Sequence, residues 1–346
     1  MREDFYILIM AGWRGTRFWP KSTEEKPKQF FALISEKTML QETYYRFRKI
    51  LPEKNIFVGT GAKYIDLVKE QLPSLPVKNI VAEPTGRNTA PCILLASKYI
   101  SDLKGPATVV VLPSDQLIVN EDKFIEDIGQ SVNFMLMHKT GICTLGIEPN
   151  RPETGYGYIR TGEDVESGIR RVEKFVEKPD EETAKGYLAS GRYLWNAGMF
   201  IFDTDYMISA FSKFQRRTHE VIMGLPNAAS PDFMAKLAEN YDKCENISVD
   251  YAILETSDEV FVHPIDVGWD DIGTWASILR YVKPDEDGNI KKGEVEVSEA
   301  KDCVVYGEKK RVILVDVEDL YVIEGENEIV VCKKESAGKI RDFRPE

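Results

Sequence analysis

Short apolar runs alternate with amphipathic stretches along the chain, and the two periods separate strands from helices. FYILIMA (5–11) is apolar without a break, which predicts a strand buried on both faces of a parallel sheet. ATVVVLPSD (107–115) predicts a second such strand, ending in Ser114 and Asp115. NIFVG (55–59) and NIVAE (79–83) read as further strands. Between them, TMLQETYYRFRKIL (38–51) carries Leu40, Tyr44, Phe47 and Leu51 at helical spacing, with Thr38 as N-cap. YIDLVKEQL (64–72) predicts another helix, and RNTAP (87–91) opens a third, with Pro91 near its start. Strand–loop–helix alternation of this kind predicts right-handed βαβ units in a Rossmann-like, doubly wound α/β sheet. Ligands of such sheets bind beyond the carboxyl ends of the strands, where the loop after residue 11 and Asp115 both fall.

From about 142 to 270 the pattern becomes mixed. GICTLGI, YGYIR, RRVEKFVEK, GMFIFD and VFVHPID read as strands, and DEETAKGYLASG as a short helix with a glycine stop. A mixed sheet is therefore expected, in one domain over 1–282. Its nucleotide half spans about 1–140 and its second, substrate half about 141–282. KPDEDGNIKKGE (283–294) reads as a polar linker. After it VVY, VILVDV, LYVIEG and EIVVC recur at about ten-residue spacing, predicting a β-rich domain over 295–346 made of hairpins or of β-helix coils.

Composition narrows the functional classes. A net charge of −12 opposes non-specific binding to nucleic acid or to an anionic membrane, since both need a positive surface. The apolar run at the amino end is too short for a signal peptide, and no later run is long enough to span a bilayer. Cys92, Cys143, Cys244, Cys303 and Cys332 never form a CxxC and read as reduced thiols, mostly in the core. Three scattered histidines argue against a His/Cys zinc site. A cytoplasmic protein is expected.

The chemistry concentrates in AGWRGTRFWPKSTEEKPKQF (11–30). It lacks the GxxxxGK[ST] of a P-loop and the GxGxxG of a dinucleotide fold. Its glycines would let backbone N–H groups face a phosphate. Arg17 adds a fork matched to phosphate oxygens, and Lys28, held in KPK, adds a point charge. On pattern alone, a plain strand–turn–helix connection with solvated basic residues remains open.

That stretch resembles the signature of the sugar-1-phosphate nucleotidyltransferases, in particular the mannose-1-phosphate guanylyltransferases, whose pattern is AGGxGxRxWPxSxxxxPKQ. The likeness continues in order through AEPTGRNTAP (82–91), VVVLPSDQ (109–116), RPETGYGYI (151–159), FVEKPD (175–180), LWNAGMFIF (194–202), ISVDYAILE (247–255) and GWDDIGTW (268–275). These eight blocks span about 265 residues, too many in order for chance. The β-rich tail resembles that family's carboxy-terminal segment. The chain ends before the isomerase domain of bifunctional relatives, so no isomerase activity is implied.

The resemblance implies transfer of GMP from GTP to mannose 1-phosphate, giving GDP-mannose and pyrophosphate. Arg17 and the loop amides would hold the departing phosphates and Lys28 the α-phosphate, with Ala11, Gly12, Gly15 and Thr16 in the nucleotide site. Asp115 and Asp271 would hold Mg2+, although Asp115 alone also reads as a helix N-cap. Asp270, next to Asp271, is the obvious wrong candidate. Ser114 would join the nucleotide site. Glu83, Asn88, Thr89 and Ala90 would meet guanine, with Asn88 or Thr89 also a helix cap. Gly157, Glu177 and Asn196 would take the sugar and Lys178 its phosphate, with Asp250 and Tyr251 as supports. A homodimer is implied, with GTP and mannose 1-phosphate as the small-molecule partners and neither nucleic acid nor membrane. Two positions depart from the family: Gln116 replaces a common histidine, and Trp13 replaces the second glycine of the loop, where a positive φ would strain it.

Overall fold

The computed structural model of the chain describes residues 5–12 and 18–343. Strands β1 (Phe5–Met10), β2 (Ile56–Gly61), β3 (Ile80–Glu83) and β4 (Thr108–Pro113) run parallel in the order β3-β2-β1-β4. Ile7 and Ile9 point to one face and Leu8 to the other, all buried, which is why this segment carries no polar position. After the two-residue β5 (Leu117–Ile118), the strands β6 (Ile142–Ile147), β7 (Tyr158–Glu166), β8 (Ile169–Val176), β9 (Tyr193–Asp203) and β10 (Val260–Ile265) extend the sheet. The nine-stranded order is β3-β2-β1-β4-β9-β6-β10-β8-β7. It is mixed, as expected, because β9 enters antiparallel between β4 and β6, and β8 runs antiparallel to β10.

Helix α1 (Met39–Arg48) starts at Thr38, whose hydroxyl accepts from the Gln41 N–H at 3.2 Å while the Gln41 side chain accepts from the Thr38 N–H at 3.0 Å. Beyond α2 (Ile65–Gln71), α3 (Thr89–Lys104) lies buried along most of its length and packs against α6 (Thr204–Phe214) and α7 (Arg216–Met223). Gly191 stops α5 (Glu181–Ser190) in the left-handed conformation at φ 62°. Among the described residues, no helix is long and apolar enough to cross a membrane. All five cysteines are unpaired, and four of them are buried.

The carboxy-terminal segment resolves the choice between hairpins and coils. Past β11 (Trp269–Asp270), strands β12 (Ile290–Lys292), β14 (Val304–Tyr306) and β16 (Leu320–Glu324) stack in parallel. So do β13 (Val295–Ser298) and β15 (Val312–Val315). Parallel neighbours separated by a short return are coils of a β-helix, and only β17 (Ile329–Lys333) closes a hairpin, against β16. The stretch read as a polar linker holds the first coil, β12. Asn289 explains this: its amide donates to the Ala300 carbonyl at 2.8 Å and accepts from the Cys303 N–H at 2.8 Å, so a polar side chain builds the turn from inside.

The compact units do not follow chain order. Among the described residues, 5–12, 43–114 and 118–269 form the sheet-based unit, and 18–42, 115–117 and 270–343 form the second. The latter therefore combines the KPK segment, Asp115, the DDIGTW part (270–275) of the GWDDIGTW motif and the β-helix.

Candidate active site

In the sheet-based unit, the strand ends carry the nucleotide candidates. The Ala11 N–H donates to the Gly59 carbonyl at 2.7 Å, and its own carbonyl accepts from Thr60 Oγ1 at 3.0 Å. Ser114 donates through both N–H and Oγ to the Met10 carbonyl, at 3.1 and 2.8 Å. These residues wall the ends of β1 and β4 with their own polar groups engaged. Gly12 lies against Glu83: a Cβ there would be 3.4 Å from Glu83 Oε2. Glu83 ends β3, is buried, and accepts hydrogen bonds from the Tyr241 hydroxyl and the Cys92 thiol. Burial outweighs those two bonds and pushes its carboxyl up to about 7.

Asn88 caps α3 at φ 66°, its side chain accepting from the Thr89 N–H at 2.9 Å. Thr89 Oγ1 accepts from the Val249 N–H at 2.8 Å, and the Ala90 N–H donates to the Ile247 carbonyl at 3.2 Å. The EPTGRNTAP block is thereby tied to the ISVDYAILE block, which joins two motifs far apart in sequence.

The sugar candidates converge in the same unit. The Asn196 N–H donates to the Gly157 carbonyl at 2.8 Å, and Asn196 Nδ2 donates to Asp250 Oδ1 at 2.9 Å. Asn196 Oδ1 accepts from Thr144 Oγ1 and the Gly198 N–H, so the amide orientation is fixed from both ends. Gly157 lies close against Glu177: a Cβ there would stand 2.5 Å from Glu177 Oε2, so that carboxylate would have to shift. Lys178 Nζ lies 2.9 Å from Glu177 Oε1. Burial first, and then the neighbouring Glu177 charge, raise Asp250 to about 6. Gly157, Glu177, Lys178, Asn196 and Asp250 thus form one polar cluster, with Tyr251 exposed beside Asp250 in sequence.

In the second unit, Lys28 is 2% exposed. Its ammonium is 3.0 Å from Asp115 Oδ2 and donates to the carbonyls of Asp271 and Ile272 at 3.2 and 3.3 Å. Three stretches of chain meet at this one charge. Asp270 is committed elsewhere, accepting from the Ile272 N–H at 2.9 Å, from Arg280 at 2.6 Å and from the Tyr281 hydroxyl at 2.9 Å. Ile272 sits at φ 44°, a strained value for a β-branched residue. Asn88 and Lys178 also have positive φ, as do five residues outside the motif blocks, Ser167, Glu299, Asp302, Asp316 and Asp319. Gly15, Thr16 and Arg17, together with Trp13, lie outside the described residues.

Similarity to known proteins shows the family. A nucleotidyl transferase family model matches residues 6–288, and a mannose-phosphate isomerase/GMP-like β-helix domain model matches 293–343. The xanthan biosynthesis protein XanB of Xanthomonas campestris is 35% identical over 344 residues, 98% of this chain and 72% of that one. A mannose-1-phosphate guanylyltransferase of Escherichia coli K12 is 35% identical over 98% of this chain and 73% of its own. A solved structure described as a mannose-1-phosphate geranyltransferase of Thermus thermophilus superposes with a TM-score of 0.84 at 30% identity, covering 98% of each chain. The chain belongs to the mannose-1-phosphate guanylyltransferase branch of the nucleotidyltransferases. Family membership agrees with the α/β core and the β-helix tail.

Sequence reading did not find Tyr241, Cys92 or Thr144, which hold Glu83 and Asn196 in place. Cys92 and Thr144 are ordinary residues inside apolar stretches and Tyr241 lies in the polar run AENYDKCEN, and only the fold brings each to its partner.

Proposed function

We propose that the chain transfers GMP from GTP to mannose 1-phosphate, releasing GDP-mannose and pyrophosphate, with Mg2+ as its divalent metal. The observation that carries this reading is the buried Lys28 ammonium, shared between the Asp115 carboxylate and the Asp271 and Ile272 carbonyls. A lysine buried to this degree needs a paired anion, and Asp115 supplies one before any nucleotide binds.

A phosphate oxygen of mannose 1-phosphate, already ionised, forms the new bond to the α-phosphorus as the bond to the leaving pyrophosphate breaks. No general base is needed, so catalysis rests on positioning and charge neutralisation. Lys28 stabilises the α-phosphate, and Arg17 with the loop amides takes the pyrophosphate oxygens. Glu83 accepts from guanine, with Asn88, Thr89 and Ala90 fixing the turn beside it. Glu177 accepts from the sugar hydroxyls, Asn196 and Gly157 shape that pocket, and Lys178 pairs with the sugar phosphate. Asp115 and Asp271 are the residues that would hold the metal. Among the described residues no group of three or more His, Cys, Asp or Glu side chains converges as a metal site, and the donors proposed here are two carboxylates. That suits Mg2+, which takes one or two carboxylates with phosphate and water oxygens and, when bound, neutralises phosphate charge.

The test is a matrix of nucleoside triphosphates against sugar 1-phosphates, read by pyrophosphate release with and without Mg2+. GTP with mannose 1-phosphate is the expected best pair; any other best pair overturns the assignment.

A further inference from the structure

The chain between Lys28 and α1 has almost no ladder of its own. A single turn covers Lys28–Phe30, with the Phe31 N–H returning to the Lys28 carbonyl at 3.1 Å. The Phe31 carbonyl accepts from the Met39 N–H at 3.2 Å. The next carbonyls are taken by side chains of the β-helix. Lys292 Nζ donates to Ala32 at 2.5 Å and to Ser35 at 2.9 Å, and the Tyr306 hydroxyl donates to Leu33 at 2.8 Å. Lys292 and Tyr306 are directly paired in the register of β12 and β14, so two adjacent coils present them on one face.

Tyr306 also packs against the segment that carries Asp271. Its ring meets Trp275 edge-on at 5.0 Å, and the Trp275 indole N–H donates to the Trp19 carbonyl at 3.3 Å. Trp275 belongs to the same motif as Asp271. Phe31, Leu33, Ile272 and Trp275 share one buried cluster with Val304, Tyr306, Tyr321 and Ile323. Lys292 spends a half-buried ammonium on main-chain carbonyls, and burial pulls its pKa below the ordinary lysine value against the opposing pull of Glu36.

From this geometry we propose that the β-helix tail is the positioning frame of the phosphate site. Lys292 and Tyr306 grip the carbonyls of residues 32, 33 and 35 and thereby fix the Lys28 ammonium relative to Asp115 and Asp271. Both are positioning residues. The inference rests on the role given to Lys28 above.

The test uses the full chain with Lys292→Met, Lys292→Arg, Tyr306→Phe, Lys28→Ala and the Lys28→Ala/Lys292→Met double variant, all checked for fold by circular dichroism. Lys292→Met is expected to lower kcat about ten-fold, since a displacement of about 1 Å at a reacting group costs up to roughly a hundred-fold. The KM for mannose 1-phosphate should stay within about two-fold, because its candidate contacts lie in the other unit. Tyr306→Phe keeps the ring packed and should lower kcat less, and Lys292→Arg should restore part of the loss. In the Lys28→Ala background, Lys292→Met should cost nothing further. Unchanged kcat in both Lys292→Met and Tyr306→Phe, beside a crippled Lys28→Ala, overturns this inference alone. An equal cost of Lys292→Met with and without Lys28 also overturns it, since that marks a packing residue. Normal turnover in Lys28→Ala overturns the underlying reading and the inference with it.

Discussion

Gly157, Glu177 and Asn196 sit on or beside strands whose ladder hydrogen bonds fix them independently of any ligand. Lys28, Asp115 and Asp271 sit in loops, drawn from three separated stretches and joined through one ammonium. The first arrangement suits recognition, in which fixed hydrogen-bonding groups distinguish one sugar from another. The second suits charge neutralisation, in which a small displacement matters more than the identity of a hydrogen bond. Substitutions in the sheet-based unit should therefore act on binding, and those in the second unit on turnover.

The largest effect is expected at the carboxylates. Asp115→Asn or Asp271→Asn should cut kcat by orders of magnitude with folding intact, measured by pyrophosphate release across a Mg2+ titration. Near-normal turnover in either variant would remove that residue from the metal site and weaken the contrast between the units. Lys28→Ala comes next: a loss of about 10²–10³ in kcat, in the range for one electrostatic donor, with a smaller change in GTP affinity by calorimetry. Equal losses in both would make it a binding residue. Glu177→Gln should raise the KM for mannose 1-phosphate about ten-fold while kcat changes little, the signature of lost uniform binding. A kcat effect as large as that of Lys28→Ala would break the comparison.

The smallest effect concerns pH. Asp250 at about 6 and Glu83 at about 7 hold protons in the folded protein that the unfolded chain, with carboxyls near about 4, has already shed. Their contribution to stability is therefore fully present in acid and is lost as pH rises through 6 and then 7. Compared with wild type, Asp250→Asn should flatten the lower part of that decline and Glu83→Gln the upper part, each by a few degrees in Tm between pH 5 and pH 8. Parallel pH curves for wild type and Glu83→Gln would show that its proton is not retained.

The central sheet was legible because strands buried on both faces leave uninterrupted apolar runs, as in residues 5–11 and 107–113. The order of the sheet was not, since nothing in Tyr193–Asp203 announces that it will run antiparallel between β4 and β6. The tail left hairpins and coils open because three- to five-residue strands look alike in either. The first coil was hidden in a charged stretch where Ile290 is its only apolar strand residue. The candidate site residues stood out as motif blocks, and the family resemblance already grouped Lys28, Asp115 and Asp271 around the phosphates. Pattern and spacing did not show that all three fall in one compact unit that cuts across chain order. The odd tryptophan of the loop, Trp13, lies outside the described residues.

The bond from Lys292 to the Ser35 carbonyl joins residues 257 positions apart. During synthesis at about 5–20 residues per second, the segment bearing Lys28 emerges roughly 13–50 s before the coil that grips it. For that interval it has neither its carbonyl partners nor the aromatic wall of Trp275 and Tyr306. On the proposed roles, a nascent chain holding the complete central sheet still lacks the frame of its candidate phosphate site. On this order of events, the capacity for turnover is acquired last, when the tail of the polypeptide closes over one of its earliest loops.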